Sequence, residues 1–170
     1  MNSISDFANE KLKLVQPAKF KRIFELTSLK GVIQKITFSG VLRSSAVIDD
    51  FNTRWEIKPS SWWTNNLAVY KEGYEIPITN YTSNFFRTKG SIDLGRGESL
   101  IFKFNWFTRS LRVFNLTEIL LLSYSYKMGF LKTDFSVTIM QESELLDENP
   151  YVLMLGFFIF IENINRGKSA

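Results

Sequence analysis

Asp147-Glu148-Asn149-Pro150, followed by Tyr151-Val152-Leu153-Met154-Leu155-Gly156-Phe157-Phe158-Ile159-Phe160-Ile161, is the stretch that decides how this chain folds. Its first four residues signal a helix start. Asn149 suits a cap, Pro150 suits the first helical position, and the carboxylates stand where a helix dipole is positive. The run from Tyr151 to Ile161 then has no polar side, and a helix apolar all round has to be buried all round. It is far shorter than the ~20 residues that span a bilayer. Glu162, Asn163, Asn165 and Arg166 restore polarity, and Gly167 suits the position just past a helix end. A helix over 150–166 would run ~25 Å, enough to thread a small barrel. The rival reading makes residues 157–161 a last core strand, since they are aromatic and β-branched. The length of the run and its marked start favour the helix.

Working outward, the rest of the chain has to supply the wall that buries this helix. Of its 170 residues 45% are apolar and 15% aromatic, with sixteen Phe, so folding can offset the conformational entropy it costs. Four Pro and nine Gly are too few for the turns required, which must also draw on Asn, Asp and Ser. From Phe20 onward short apolar runs alternate with turn residues. They predict strands over 20–27, 32–39, 46–51, 54–58, 67–70, 74–79, 84–93, 100–107, 110–115, 118–126, 129–131 and 135–141. In the clearest of these, Leu100, Phe102, Phe104 and Trp106 form one apolar row. Lys71-Glu72-Gly73, Gly95-Arg96-Gly97 and Lys127-Met128-Gly129 are predicted hairpin connections. The expected fold is mainly β: a closed antiparallel barrel of about twelve strands around a central C-terminal apolar helix.

Ahead of it, Phe7, Ala8, Leu12 and Val15 stand at helical spacing before Pro17, which predicts a short amphipathic helix or an ordered arm. The chain therefore divides into an N-terminal arm or short helix over 1–19 and one barrel domain over 20–170. No stretch before Val15 reads as a signal peptide, so a cytoplasmic protein is expected, free or peripheral at a membrane.

The net charge is +4, and the chain has neither Cys nor His. Disulfides and thiolate chemistry are excluded. The usual ligands of zinc, haem and iron–sulfur clusters are missing, as are Ser-His and Cys-His nucleophile pairs. The expected protein is noncatalytic and has no cofactor and no transition metal. A charge this modest also falls short of a nucleic-acid signature.

In its order of elements the chain resembles the tubby C-terminal-like superfamily, which includes the LURP-one-related proteins and the phospholipid scramblases. The resemblance rests on many short antiparallel strands, Arg54-Trp55-Glu56-Ile57-Lys58 before a Trp-rich turn, and a terminal apolar helix, over roughly residues 20–166. It implies a twelve-stranded barrel around a central helix, and a binding or membrane-tethering role without catalysis. The transmembrane segment and cysteine-rich stretch of the scramblases are missing here.

Candidate contact residues are few. Lys11, Lys13, Lys19, Lys21 and Arg22 form the densest basic region, which would suit an anionic lipid headgroup or simply a solvated face. Trp62 and Trp63 mark a partner or membrane contact, or a plug in the barrel end. Arg87, Lys89, Arg96, Lys103, Arg109 and Arg112 lie in the middle strands and would form a surface only if they cluster. Gly95-Arg96-Gly97 lacks the lysine and helix of a phosphate loop, Asp49-Asp50 lacks the ligand spacing of a calcium site, and Glu142, Glu144, Asp147 and Glu148 read as a solvated acidic loop. The expected function is a binding or scaffold module that contacts anionic headgroups or another polyanion. A protein–protein interaction domain is the alternative, and a small carrier of apolar ligands a further one.

Overall fold

Residues that alternate between apolar and polar along most of this chain form strands, because period-two alternation puts every apolar side chain on one face. The computed structural model describes residues 3–18, 22–39, 45–50, 52–61, 63–128 and 133–169. A 3₁₀ turn, Ile4–Phe7, precedes β1 (Lys11–Val15), β2 (Ile23–Ser28), β3 (Gly31–Ser39), β4 (Ser45–Asp49), β5 (Arg54–Pro59) and β6 (Leu67–Lys71). These are followed by β7 (Thr79–Ser83), β8 (Lys89–Gly95), β9 (Glu98–Asn105), β10 (Ser110–Asn115), β11 (Leu120–Met128) and β12 (Thr133–Ile139). Two helices end the chain, α1 (Glu144–Glu148) and α2 (Val152–Ser169). Each strand pairs antiparallel with the next, and β1 closes the barrel against β12 with Lys11 opposite Thr138 and Leu14 opposite Phe135.

The expected barrel of twelve antiparallel strands is therefore present, with one strand in a place the helical spacing misjudged. Lys11–Val15 is a strand, since Leu12 and Leu14 alternate inward against the outward Lys11 and Lys13. The wall begins there rather than at residue 20, and only the turn at Ile4–Phe7 is helical in this region. Residues 74–79 are mostly a connection, where Pro77 has no amide to give a ladder, and β7 starts only at Thr79. Residues 84–88 form a hairpin loop held by Asn84, whose amide donates to the Lys89 carbonyl at 2.9 Å. Trp106 and Phe107 leave the strand because Asn105 Oδ1 accepts from the amides of Phe107 (2.9 Å) and Thr108 (3.1 Å), which turns the chain. The predicted strand 129–131, and with it Gly129, lies outside the described residues. Gly95-Arg96-Gly97 is a hairpin turn between β8 and β9, with all three residues at positive φ.

The C-terminal helix is buried as its sequence requires. No residue from Tyr151 to Ile161 is more than 8% exposed. Phe157 packs against Phe24, Phe38 and Phe135, and Phe160 against Phe104, Tyr124, Tyr126 and Phe135, so the same helix touches opposite parts of the wall. Burying a side chain such as Phe157 contributes about 2–3 kcal/mol. The ends of the helix differ from the expected ones. Asn149 closes α1 (its side-chain amide donates to the Leu145 carbonyl at 3.0 Å), α2 starts at Val152, and Gly167 lies inside α2 rather than beyond it. Gly156 is required where it stands. A Cβ there would overlap the ring and hydroxyl of Tyr124, which donates to the Leu153 carbonyl at 2.8 Å.

Candidate functional site

Antiparallel pairing sends successive connections to alternate ends of the barrel, so the two ends collect different residues. The direction of α2 tells them apart. At its start the Gln34 side chain donates to the Pro150 carbonyl at 2.8 Å, and Tyr151 packs on Trp55. Near its finish Asn163 Nδ2 donates to the Arg87 carbonyl at 3.4 Å, and Gly167 faces Trp106. The helix thus enters beside the β6–β7, β8–β9 and β10–β11 connections and exits beside β5–β6, β7–β8 and β9–β10.

Charge is divided between these ends. The exit end, counting strand residues next to its connections, carries Arg22, Lys58, Arg87, Lys89, Arg109, Lys127 and Arg166 among the described residues, with Asp134 and Glu162 as acids beside them and Glu56 on β5 paired to Lys58. The entry end carries Asp6, Glu10, Asp49, Asp50, Glu72, Glu75, Asp93, Glu98, Glu118 and the α1 region with Glu142, Glu144, Asp147 and Glu148, against Lys11, Lys30, Arg54, Lys71 and Arg96. On the wall above the exit end, Lys89 stands opposite Lys103 and Lys103 opposite Arg112. Like charges in adjacent registers oppose folding slightly, and Lys103 relieves this by leaning over the Phe114 ring at 4.8 Å toward Glu118 at 3.8 Å. The row continues through Ser123 and Thr138 to Lys11.

Between the β5–β6 and β7–β8 connections and the last turns of α2 lies a cavity of about 140 Å³. Tyr81, Phe158 and Ile159 form its apolar part. Arg87 donates from Nη2 to Asn65 Oδ1, the Ser83 amide donates to Asn66 Oδ1 at 3.3 Å, and the buried Ser83 hydroxyl has no hydrogen-bond partner among the described residues. Glu162, Asn163 and Arg166 complete the lining from α2. Burial pushes the Tyr81 hydroxyl well above its ordinary pKa, with the Arg87 charge opposing part of the effect, so it is a neutral hydrogen-bonding group. The lining is rich in donors and suits one compact acceptor group. Among the described residues that line it, no nucleophile is paired with a base.

Of the predicted contact residues, Lys11, Lys13, Arg22 and Trp63 lie among the described ones. Lys11 and Lys13 point outward from β1, Arg22 is exposed just before β2, and Lys19, Lys21 and Trp62 lie outside the described residues. Trp63 is 96% exposed on the β5–β6 connection, far from filling the barrel end. Of the middle-strand cations, Lys89, Lys103 and Arg112 form a row, whereas Arg96 sits at the opposite end. The acidic loop is partly structural. Asp147 accepts from the Ser5 hydroxyl (2.7 Å) and amide (2.8 Å), and no three potential metal ligands gather among the described residues. At the exit end the exposed aromatics that alternation assigns to strands are Phe85, Phe86, Phe107 and, less exposed, Trp106. Their signal was an apolar residue just after a turn-forming Asn, at Asn84 and Asn105, which alternation alone had assigned to strands.

No protein-family model matches the chain, and no curated protein matches it significantly in sequence. An X-ray structure of a protein from Arabidopsis thaliana superposes with a TM-score of 0.59, covering 97% of this chain and 98% of that one at 17% identity. The two share a fold. Identity this low carries architecture and no activity. No helix among the described residues is long and apolar enough to cross a membrane.

Proposed function

We propose that this protein is a noncatalytic binding module of tubby-like fold, related to the LURP-one proteins, which holds anionic headgroups or another polyanion against the exit end of its barrel. The observation that carries this reading is the division of charge: cations crowd the end where α2 leaves, and acids crowd the end where it enters. A net charge of +4 then acts as a directed field that orients the approach of a polyanion before contact. The interior supports the same reading, because α2 fills the space an apolar cargo would need. Peripheral attachment to the cytoplasmic face of a membrane is the setting it implies. Leu29, Ile76 and Leu116, exposed at the acidic end, favour a protein contact there as a second reading.

The test compares two sets of charge reversals that remove the same net charge. Lys89→Glu/Arg109→Glu/Lys127→Glu alters the exit end, and Lys30→Glu/Lys71→Glu/Arg96→Glu the entry end. Co-sedimentation with liposomes of graded phosphatidylserine content should fall roughly a hundredfold or more for the first set, at about 1 kcal/mol per cation near an anionic surface. It should fall far less for the second. Equal losses would make net charge rather than position the cause and would refute the reading.

A further inference from the structure

The exit end exposes aromatic side chains as well as cations. Trp63 is 96% exposed, Phe85 87%, Phe86 72% and Phe107 100%. They sit on the β5–β6, β7–β8 and β9–β10 connections, whose six strands are consecutive in the sheet, so the tips form one arc. Each tip is held by its own turn. The Trp63 amide donates to Ser61 Oγ at 3.2 Å, Asn84 ties the Phe85–Phe86 loop to the Lys89 amide at 3.2 Å, and Asn105 fixes Phe107. The rings are therefore presented to the medium by hydrogen-bonded backbone. Scattered exposed apolar residues are ordinary on any surface, but neighbouring aromatics at one end, flanked by cations, mark an interaction site.

We propose that these tips insert into the interfacial layer of an anionic phospholipid bilayer, so that the barrel stands on its exit end with Arg87, Lys89 and Arg109 at headgroup level. The inference rests on the proposed association with anionic headgroups and adds its depth and orientation. Aromatic rings at the tips, with Arg87 and Arg109 one or two residues past Phe86, Phe85 and Phe107 and Lys89 at the foot of its loop, reproduce the order of a membrane interface, with apolar matter below and phosphate above. Charge complementarity selects this end for the bilayer. The entry end also exposes Leu29, Ile76 and Leu116, but Glu72, Glu75 and Glu118 beside them would be repelled by an anionic surface. A nucleic acid would use the same cations without taking the rings into an apolar layer, which makes depth the deciding measurement.

The chain contains no cysteine, so single-site labelling is clean. Phe85→Cys and Phe107→Cys at the exit end, and Ile76→Cys at the entry end, are labelled with a nitroxide and bound to phosphatidylcholine–phosphatidylserine vesicles at low salt. Labels at 85 and 107 should become shielded from an aqueous relaxation agent and accessible to oxygen, while the label at 76 stays aqueous. A companion Phe85→Ser/Phe107→Ser variant should keep its thermal midpoint and lose roughly tenfold or more of its vesicle partitioning. Bound protein whose labels at 85 and 107 stay aqueous, or a serine variant that partitions as tightly as the parent, overturns insertion while leaving headgroup association standing. Unlabelled wild-type protein that binds no anionic vesicle at low salt overturns the association itself, and insertion with it.

Discussion

At the scale of single residues, close approach explains what composition cannot. Tyr124 lies over Gly156 so that its hydroxyl reaches the helix backbone, and burial raises its pKa far above the ordinary value, which keeps it a neutral donor. Tyr81 lies over Gly90 in the same way. Gly156→Ala introduces a methyl where the Tyr124 ring already stands, in a packed interior that resists expansion. Urea denaturation should show a loss of about 1–3 kcal/mol; an unchanged midpoint would mean that Tyr124 moves aside at no cost. The glycine was visible in the sequence as an interruption of an apolar helix, but its purpose was not, because Tyr124 is far from it along the chain. Composition does support a chemical prediction. With neither His nor Cys, the untagged protein should hold no stoichiometric zinc or iron by elemental analysis, and a tightly retained metal ion would contradict this.

At the scale of elements, the ambiguous segments were those in which two periodicities coexist. Phe7, Ala8, Leu12 and Val15 satisfy helical spacing, while Lys11-Leu12-Lys13-Leu14 satisfies strand alternation, and the unpaired edges of β2 and β12 decide for the strand. Turn chemistry explains most of the other differences, since Asn84, Asn105 and Asn115 each stop an alternating run by binding backbone amides. The 3₁₀ turn is tied to α1 by Asp147, where partial burial raises the carboxyl pKa and is outweighed by donors from the Ser5 hydroxyl and amide, the Ser3 hydroxyl and the Ile4 amide. The folded value therefore lies below the unfolded one. A depressed carboxylate contributes stability that is fully present above about pH 4 and is lost as pH falls through the folded value. Asp147→Asn should lower the melting temperature at neutral pH and flatten its decline below about pH 4. Parallel curves for the two proteins across that range would remove Asp147 as a source of acid sensitivity.

At the scale of the whole molecule, the helix at the centre fills the interior of the barrel. Leu155 is fully buried with the barrel around it, and Leu155→Asp should abolish soluble folding, because an unpaired charge there has neither water nor a partner. A folded monomeric variant would contradict the burial. The fold was legible for the same reason: an apolar run with no polar side admits few homes. The division of charge was not legible, because the chain crosses from one end to the other with each strand and mixes both ends in every stretch of sequence. Only the order of strands sorts Lys89 and Arg109 to one end and Glu72 and Glu118 to the other. On the proposed reading that sorting gives the protein one adhesive end for an anionic membrane, so a monomer should coat vesicles without joining them. Glu72→Lys/Glu75→Lys/Glu98→Lys makes the second end basic while leaving the first untouched, and Leu29, Ile76 and Leu116 there would then accompany cations. This variant should bridge phosphatidylserine vesicles and raise their turbidity at low salt, with the effect fading as ionic strength screens exposed charges within ~8 Å. Wild-type protein that clusters vesicles as readily as the variant would show that its two ends do not differ in the way their charges require.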